Sequence, residues 1–325
     1  MDKFIGIDIS KQTFDVSYSK VKQEVFSNDL KGFKRLLKKI DKSYGILMEA
    51  SGPYYLELAT FFHEQGFSVF VENPLKIKRY AQSKLFRAKT DKKDAEIIRD
   101  YAETMRKDLR QWEPESEAII NLKQLFTYKE LLVKQINQMS NQLGSFTDSG
   151  HVFKDVKKSL ESSLRKLKNE KNKVERKMRE IVKEEYKETL ELLCSIPGIS
   201  IKTATILIAV TDNFTKFIHY KQLIAFVGLS PRIYTSGTSV KGAGHICKLG
   251  SPQVRKMLYM CSLSAARYNK ACKELNLRLI DKGKQMRVRR IAIANKLLKQ
   301  AFAILVHDKK YNLLIINKIN LILFV

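Results

Sequence analysis

The stretch FIGIDISKQTFDVSYS, Phe4 to Ser19, opens on an apolar run that ends in a carboxylate, Asp8, and resumes as alternating strand residues a few positions later. A charge without a partner is costly in an apolar setting. Asp8 therefore either makes a local turn bond, with Ser10 and Lys11 close behind it, or holds a cation. Working outward, FIGIDI reads as a buried strand, and TFDVSYS and EVFSN as two alternating strands, together an antiparallel meander.

Downstream, LKGFKRLLKKI has the spacing of an amphipathic helix, and YGILMEA reads as a short buried strand. GPYYLELATFFHEQG follows as a helix and FSVFVENP as a strand closed by Pro74. A basic segment, KIKRYAQSKLFRAKTDKKD, leads into the helix DAEIIRDYAETM. Three hairpin strands followed by helix, strand, helix, strand and helix is the order of an RNase H-like domain. Residues 1–110 are assigned to it.

From 115 to 190 apolar residues recur in steps of three, four and seven, from Leu122, Leu125, Leu132 and Ile136 through Leu160, Leu164, Leu167 and Val174 to Met178 and Ile181. This heptad-like pattern predicts a long helical hairpin or coiled-coil arm, a spacer or a dimerisation element whose narrow apolar stripe needs a partner. Residues 191–325 form a third, mainly helical segment. It begins LLCSIPGISIKTATILIAV, a helix–turn–helix that either packs as an ordinary pair or holds a phosphate at Gly198 without reading bases. FTKFIHYKQLIAFVGLSPRIYTSGTSVKGAGHICKLG reads as loop-rich, with helices beyond it. The class is thus α/β followed by mainly α.

Composition sets the partner class. The 325 residues are 44% hydrophobic and carry a formal net charge of +26, with a pI near 9.8. That excess exceeds what solubility requires and points to a polyanion, nucleic acid before a membrane surface. Cys194, Cys247, Cys261 and Cys272 contain no C-x-x-C pair, which suits reduced thiols in the cytoplasm and argues against structural zinc. The start MDKFIGIDIS is too short and acidic for a signal peptide. The apolar run YNLLIINKINLILFV is too short and too interrupted to span a membrane and reads as a packed helix or strand.

Four acids stand at informative places. Asp8 and Glu49 end two strands, and Asp91 and Asp94 open a helix three residues apart, on one face. Carboxylates that converge repel unless cations neutralise them, and hard ions such as Mg²⁺ take oxygen ligands. Two such ions about 4 Å apart can activate an attacking oxygen and stabilise a leaving one at phosphorus. Singly, Asp8 reads as a turn residue, Glu49 as a cap and Asp91 as a dipole partner; together they read as a metal site. Asp15, Glu57 and Glu72 lack the strand-tip placement or a matching partner and are left out. Beside the acids lie Lys76, Lys78, Arg79, Lys84, Arg87, Lys89, Lys92 and Lys93 with Tyr80 and Phe86 interleaved, a candidate phosphate-binding face. Arg232, Lys241 and Lys248 suit phosphate contact later in the chain.

GIDISK, MEASGPYY and AKTDKKDAEIIRDYA resemble the three parts of the motif of the DEDD insertion-sequence transposases, a family related to the pilin-gene invertases. SIPGISIKTATILIAVTDNFTKF and QLIAFVGLSPRIYTSGTSVKGAGHICKLGSPQVRKMLY resemble that family's C-terminal transposase domain. The resemblance implies a RuvC-like first domain with Asp8, Glu49, Asp91 and Asp94 as ligands of Mg²⁺. It implies a serine nucleophile matching Ser236 and a structured noncoding guide RNA, called a bridge RNA, that pairs with element and target DNA. A serine recombinase is the function it implies, and because recombination joins two DNA partners, more than one protomer is expected, a dimer through the heptad arm that assembles further on DNA. Taken from the residues alone, Thr235, Thr238 and Ser239 are rival hydroxyls, and Ser236-Gly237 also reads as a turn. A metal-dependent junction nuclease using activated water, a nucleic-acid-binding remnant and, last, a sugar-kinase-like ATPase stand as competing readings.

Overall fold

Strand register organises the first third of the chain. The computed structural model describes residues 3–84, 91–232, 235–236, 240–241 and 245–311, with backbone alone at 91–92, 235–236 and 240–241. Contacts divide the chain into two units, 1–115 and 116–325.

The first unit is a five-stranded sheet in the order β3-β2-β1-β4-β5. β1 (Lys3–Ile9), β2 (Thr13–Ser17) and β3 (Gln23–Ser27) form the antiparallel meander, and β4 (Tyr44–Glu49) and β5 (Ser68–Glu72) continue parallel to β1. Alternation sends Ile5, Ile7, Phe14, Val16, Ile46, Met48 and Val69 to the face covered by α1 (Leu30–Leu37) and α2 (Leu56–Glu64). Phe4, Leu47 and Phe70 point to the opposite face, against α3 (Pro74–Ser83) and α4 (Asp91–Thr104). This is the mixed sheet with helices on both faces that the element order predicts. The expected basic segment differs in one respect: its first part is helical. Asn73 caps α3 by accepting the Leu75 N–H at 2.8 Å, and Pro74 at the first helical position has the required φ built in.

α4 lies directly on β1. A methyl group at Gly6 would overlap the Ala95 carbonyl and the Arg99 amide nitrogen. Arg99 is buried and its guanidinium donates to Ser17 Oγ at 3.3 Å, on the residue paired with Gly6. Further along α4 the Tyr101 hydroxyl donates to Glu72 Oε2 at 3.2 Å and ties the helix to β5. Burial, and then the neighbouring Glu72 carboxylate, push the Tyr101 hydroxyl up to about 12.

In the second unit α5 (Glu117–Asp148) and α6 (Lys154–Glu185) pack against each other as a helical hairpin. Its root shares a core with the remaining helices: Ile119, Leu122, Val174, Met178 and Val182 belong to the same buried cluster as Leu193, Leu207, Leu258 and Leu297. Those helices are α7 (Lys187–Cys194), α8 (Ile201–Thr211), α9 (Tyr220–Val227), α10 (Pro252–Tyr268), α11 (Lys270–Asp281) and α12 (Met286–His307). α9 falls inside the stretch expected to be loop-rich. The His219 side chain caps it by accepting the Lys221 N–H at 3.1 Å, and Gly228 ends it at φ +79°. Four two-residue strands accompany it, β6 (Pro231–Arg232) paired with β9 (His245–Ile246), and β7 (Thr235–Ser236) paired with β8 (Val240–Lys241). The apolar tail 312–325 lies outside the described residues.

Two stability outcomes follow from α4. Gly6→Ala forces the helix off the strand and should lower the unfolding free energy of the first unit by about 1–3 kcal/mol, read from urea midpoints. A folded-state pKa above the ordinary value of Tyr101 gives stability that is intact below pH 10 and lost as the pH rises towards 12. The alkaline decline in urea midpoint over that window should be shallower in Tyr101→Phe than in the parent chain.

Candidate metal and strand-transfer site

The sheet carries the candidate acids in a row. Ile7 stands opposite Met48 in the parallel pairing of β1 and β4, so one step further Asp8 stands beside Glu49. Leu47 lies on the α4 face and Glu49 follows it by two residues, as Asp8 follows Gly6, so both acids share that face. The antiparallel register sets Asp15 opposite Asp8, and the parallel register sets Glu72 beside Glu49. Asp15, Asp8, Glu49 and Glu72 thus cross four neighbouring strands at a spacing of about 4.8 Å. The sequence reading omitted Asp15 and Glu72. Asp15 sits within β2 rather than at its tip, and Glu72 meets Glu49 only through pairing. The signal that finds Asp15 is the alternation in TFDVS, which turns Phe14 and Val16 to one core and Asp15 to the other face.

Local bonds distinguish these acids. Glu49 Oε1 accepts from Ser51 Oγ at 2.7 Å, and Glu49 caps no helix. The Glu72 carboxylate is held by Tyr101, by the Asn73 N–H at 2.9 Å and by Lys76 Nζ at 3.0 Å. Asp94 is half-buried and lies on the stripe of α4 that continues through Ile97, Ile98 and Tyr101 onto the sheet. Asp91 opens α4, and its side chain lies outside the described residues. Asp8, Asp15 and Asp94 are each engaged in polar or electrostatic contacts. Among the described residues no three His, Cys, Asp or Glu side chains are grouped closely enough to hold a metal ion. In donor chemistry the set fits a hard divalent cation: Asp8 and Glu49 are half-buried carboxylates on one face, and the remaining acids are offered by the start of the helix that packs there.

The basic residues assigned to phosphate divide into two kinds. Lys78 and Arg79 are exposed on α3, with Arg79 donating to Gln82 Oε1 at 3.1 Å, and Lys84 lies 5.5 Å from the Tyr80 ring centre. Lys76 pairs with Glu72, and Lys93 lies 3.7 Å from Glu96 Oε2, so each has an intramolecular anion beside it. Arg87 and Lys89 lie outside the described residues, as does the Lys92 side chain.

In the second unit Ser236 is opposite Val240 in the β7–β8 ladder. Its side chain, the Lys241 side chain and residues 237–239 lie outside the described set. Arg232 is exposed on β6 opposite His245, and Lys248 adopts φ +60° just beyond β9. The helix–turn–helix is present as α7 and α8, with Ser200 Oγ accepting the Thr203 N–H at 3.3 Å. Gly198 has φ +110°, and a Cβ there would stand 2.7 Å from Ala265 Cβ. Close packing on α10 is therefore enough to demand glycine at this turn. The buried Asn269 side chain fastens the turn, donating to the Pro197 carbonyl at 3.3 Å and to Gln300 Oε1 at 2.9 Å. Gly198, Ser200, Lys202, Lys129 and Lys256 are among the residues lining a groove of about 670 Å³ beside it.

Comparison with known proteins finds matches along most of the chain. A family described as "Transposase" matches residues 5–151, and one described as "Transposase IS116/IS110/IS902 family" matches residues 190–276. The chain is 30% identical to the "Pilin gene-inverting protein" of Moraxella lacunata over 328 aligned positions, covering 95% of this chain and 97% of that one. The protein of the same description from Moraxella bovis is 29% identical over the same shares. An "Insertion element IS110 uncharacterized 43.6 kDa protein" of Streptomyces coelicolor is 25% identical over 114 residues, covering 35% of this chain and 28% of that one. No helix among the described residues is long and apolar enough to cross a membrane. With its acid-bearing mixed sheet and its helical second unit both matched in order, the chain belongs to the IS110 family of transposases.

Proposed function

We propose that the protein breaks and rejoins DNA through a serine–DNA intermediate, with Asp8, Glu49, Asp91 and Asp94 as ligands of Mg²⁺ and with a structured noncoding RNA of its own element as guide. The observation that carries the metal assignment is the register that sets Asp8 beside Glu49 on the face covered by α4, in a chain of the IS110 family. The transposase and gene-inverting descriptions of the relatives support DNA as substrate. A net charge of +26 supports a nucleic-acid partner, with room for RNA as well as DNA.

In the proposed reaction Ser236 Oγ attacks the phosphorus of a phosphodiester and its proton passes to a base or to solvent. The bond from phosphorus to one deoxyribose oxygen breaks, and that oxygen leaves with a proton. One strand is then held as a serine phosphodiester, which the hydroxyl of another strand attacks, freeing the serine. A bound divalent cation would supply charge neutralisation around phosphate. Asp8 and Glu49 hold the cation's side of the sheet, and the exposed Lys78, Arg79 and Lys84 draw the backbone towards it. The α5–α6 hairpin keeps Ile136, Met139, Leu143, Leu160 and Leu167 only half-buried, which supports pairing with a second copy through this arm.

The test expresses the chain beside its own element, denatures rapidly and looks for protease-sensitive adducts on DNA. The parent chain should give an adduct, and Ser236→Ala and Asp8→Asn should each lower it at least a hundredfold. Cleaved DNA without an adduct would instead assign the chemistry to activated water and leave Ser236 structural. RNA dependence is read separately: nuclease removal of co-purified RNA should abolish recombination on the element's own ends, and undiminished recombination refutes the guide.

A further inference from the structure

The turn between α11 and α12 is strongly basic and exposed. Residues 277–288 read LRLIDKGKQMRV, with Arg278, Lys282, Lys284 and Arg287 against a single acid, Asp281. All four cations are exposed. The turn reverses at Gly283, φ +63°, and the first turn of α12 contains no acid. Two further arginines turn inward and anchor the segment. Arg290 donates to the Ser262 carbonyl at 3.1 Å, and Arg289 to Asn276 Oδ1 at 3.4 Å.

Solubility alone does not account for this surface. Leu277, Ile280, Met286 and Val288 stand among the cations with exposures of 51%, 46%, 60% and 48%. A surface serving solvation mixes charge signs and keeps large aliphatics covered. A cationic ridge with interleaved aliphatics fits a duplex: the cations meet phosphates, and the aliphatics meet deoxyribose faces and thymine methyl groups. The same pattern could in principle meet an anionic membrane, but the excess of positive charge runs through the whole chain and the family acts as transposases. The ridge lies outside both matched family segments, 5–151 and 190–276. It also lies apart from the acids and from Ser236 in sequence.

We infer that the α11–α12 turn is a DNA-docking ridge that grips the backbone of duplex DNA through Arg278, Lys282, Lys284 and Arg287. The inference rests on the reading of DNA as substrate and adds a contact surface to it.

The test measures binding of the full chain to a labelled mixed-sequence duplex across a salt series. Replacing all four cations by glutamine should flatten the slope of log K against log salt by about 2–4, at about 0.9 per lost phosphate contact. Affinity at physiological salt should fall on the order of tenfold or more, with an unchanged melting temperature. If the fourfold variant folds poorly, Lys282→Gln with Lys284→Gln in the exposed turn should give about half the change in slope. Parallel slopes for parent and variant overturn the inference. So does loss of binding to phosphatidylserine vesicles with DNA binding intact, which makes the ridge a membrane contact. A shift from dimer to monomer in sedimentation with the DNA slope unaltered makes it a subunit contact and overturns the inference as well. A parent chain that binds no duplex at any salt removes both the ridge and the DNA reading, whereas adduct formation with parallel slopes removes the ridge alone.

Discussion

The close approach of α4 to β1 at Gly6 is the constraint on which the first unit depends. Without a side chain at residue 6, the helix backbone rests on the strand. Ile97, Ile98 and Ala102 then fill the second core with Phe4 and Leu47. The same contact brings the start of α4 to the face on which Asp8 and Glu49 lie. Arg99 fixes the helix on the β2 side and Tyr101 on the β5 side. A helix held at both flanks of the sheet gives the acids a rigid frame, as a site for charged ligands requires.

Beside Glu49, the Glu72 carboxylate is satisfied by Tyr101, Asn73 and Lys76. A buried or half-buried carboxylate that already has a cation and two donors has little need of another. It therefore extends the row of acids with its own charge already compensated. The second unit follows a similar economy at its helical turn, where Gly198 allows contact with α10 and Asn269 closes the polar groups between Pro197 and Gln300. Leaving such buried amides unpaired would cost about 1–3 kcal/mol each, so the turn is held in one conformation whatever binds beside it.

Much of the fold was legible. Continuous apolar runs located β1 and β4, alternation located β2 and β3, a run closed by Pro74 located β5, and the three-and-four spacing located α5 and α6, because burial imposes those patterns. α3 was missed because its lysines and arginines mask a helix whose apolar contribution is mainly Ile77 and Tyr80. α9 was missed because glycine, serine and proline nearby outweighed the short apolar spacing of YKQLIAFV. At the candidate site the sequence placed Asp8 and Glu49 at strand tips and Asp94 at a helix start, and register sets the first two side by side. Asp15 and Glu72 were not legible, since cross-strand neighbours are fixed by register and register is a tertiary fact. The chain's charge was legible as a total, but which lysines are committed to internal carboxylates, as Lys76 is to Glu72, was not.

By itself the sequence determined most of the element order, the basic character and the candidate acids, because each depends on residue type and local period; it divided the chain into three parts, 1–110, 115–190 and 191–325, where contacts give two units, 1–115 and 116–325. Only the tertiary structure decided that Asp8 and Glu49 share a face with Asp15 and Glu72 as flanking neighbours. It alone decided that the root of the helical hairpin joins the core of the C-terminal helices, and that the cations of the α11–α12 turn face outward while Arg289 and Arg290 face in. The physical reason is common to all three. Which side chains meet depends on strand register and on the packing of helices far apart in the chain, and those are settled by the fold as a whole.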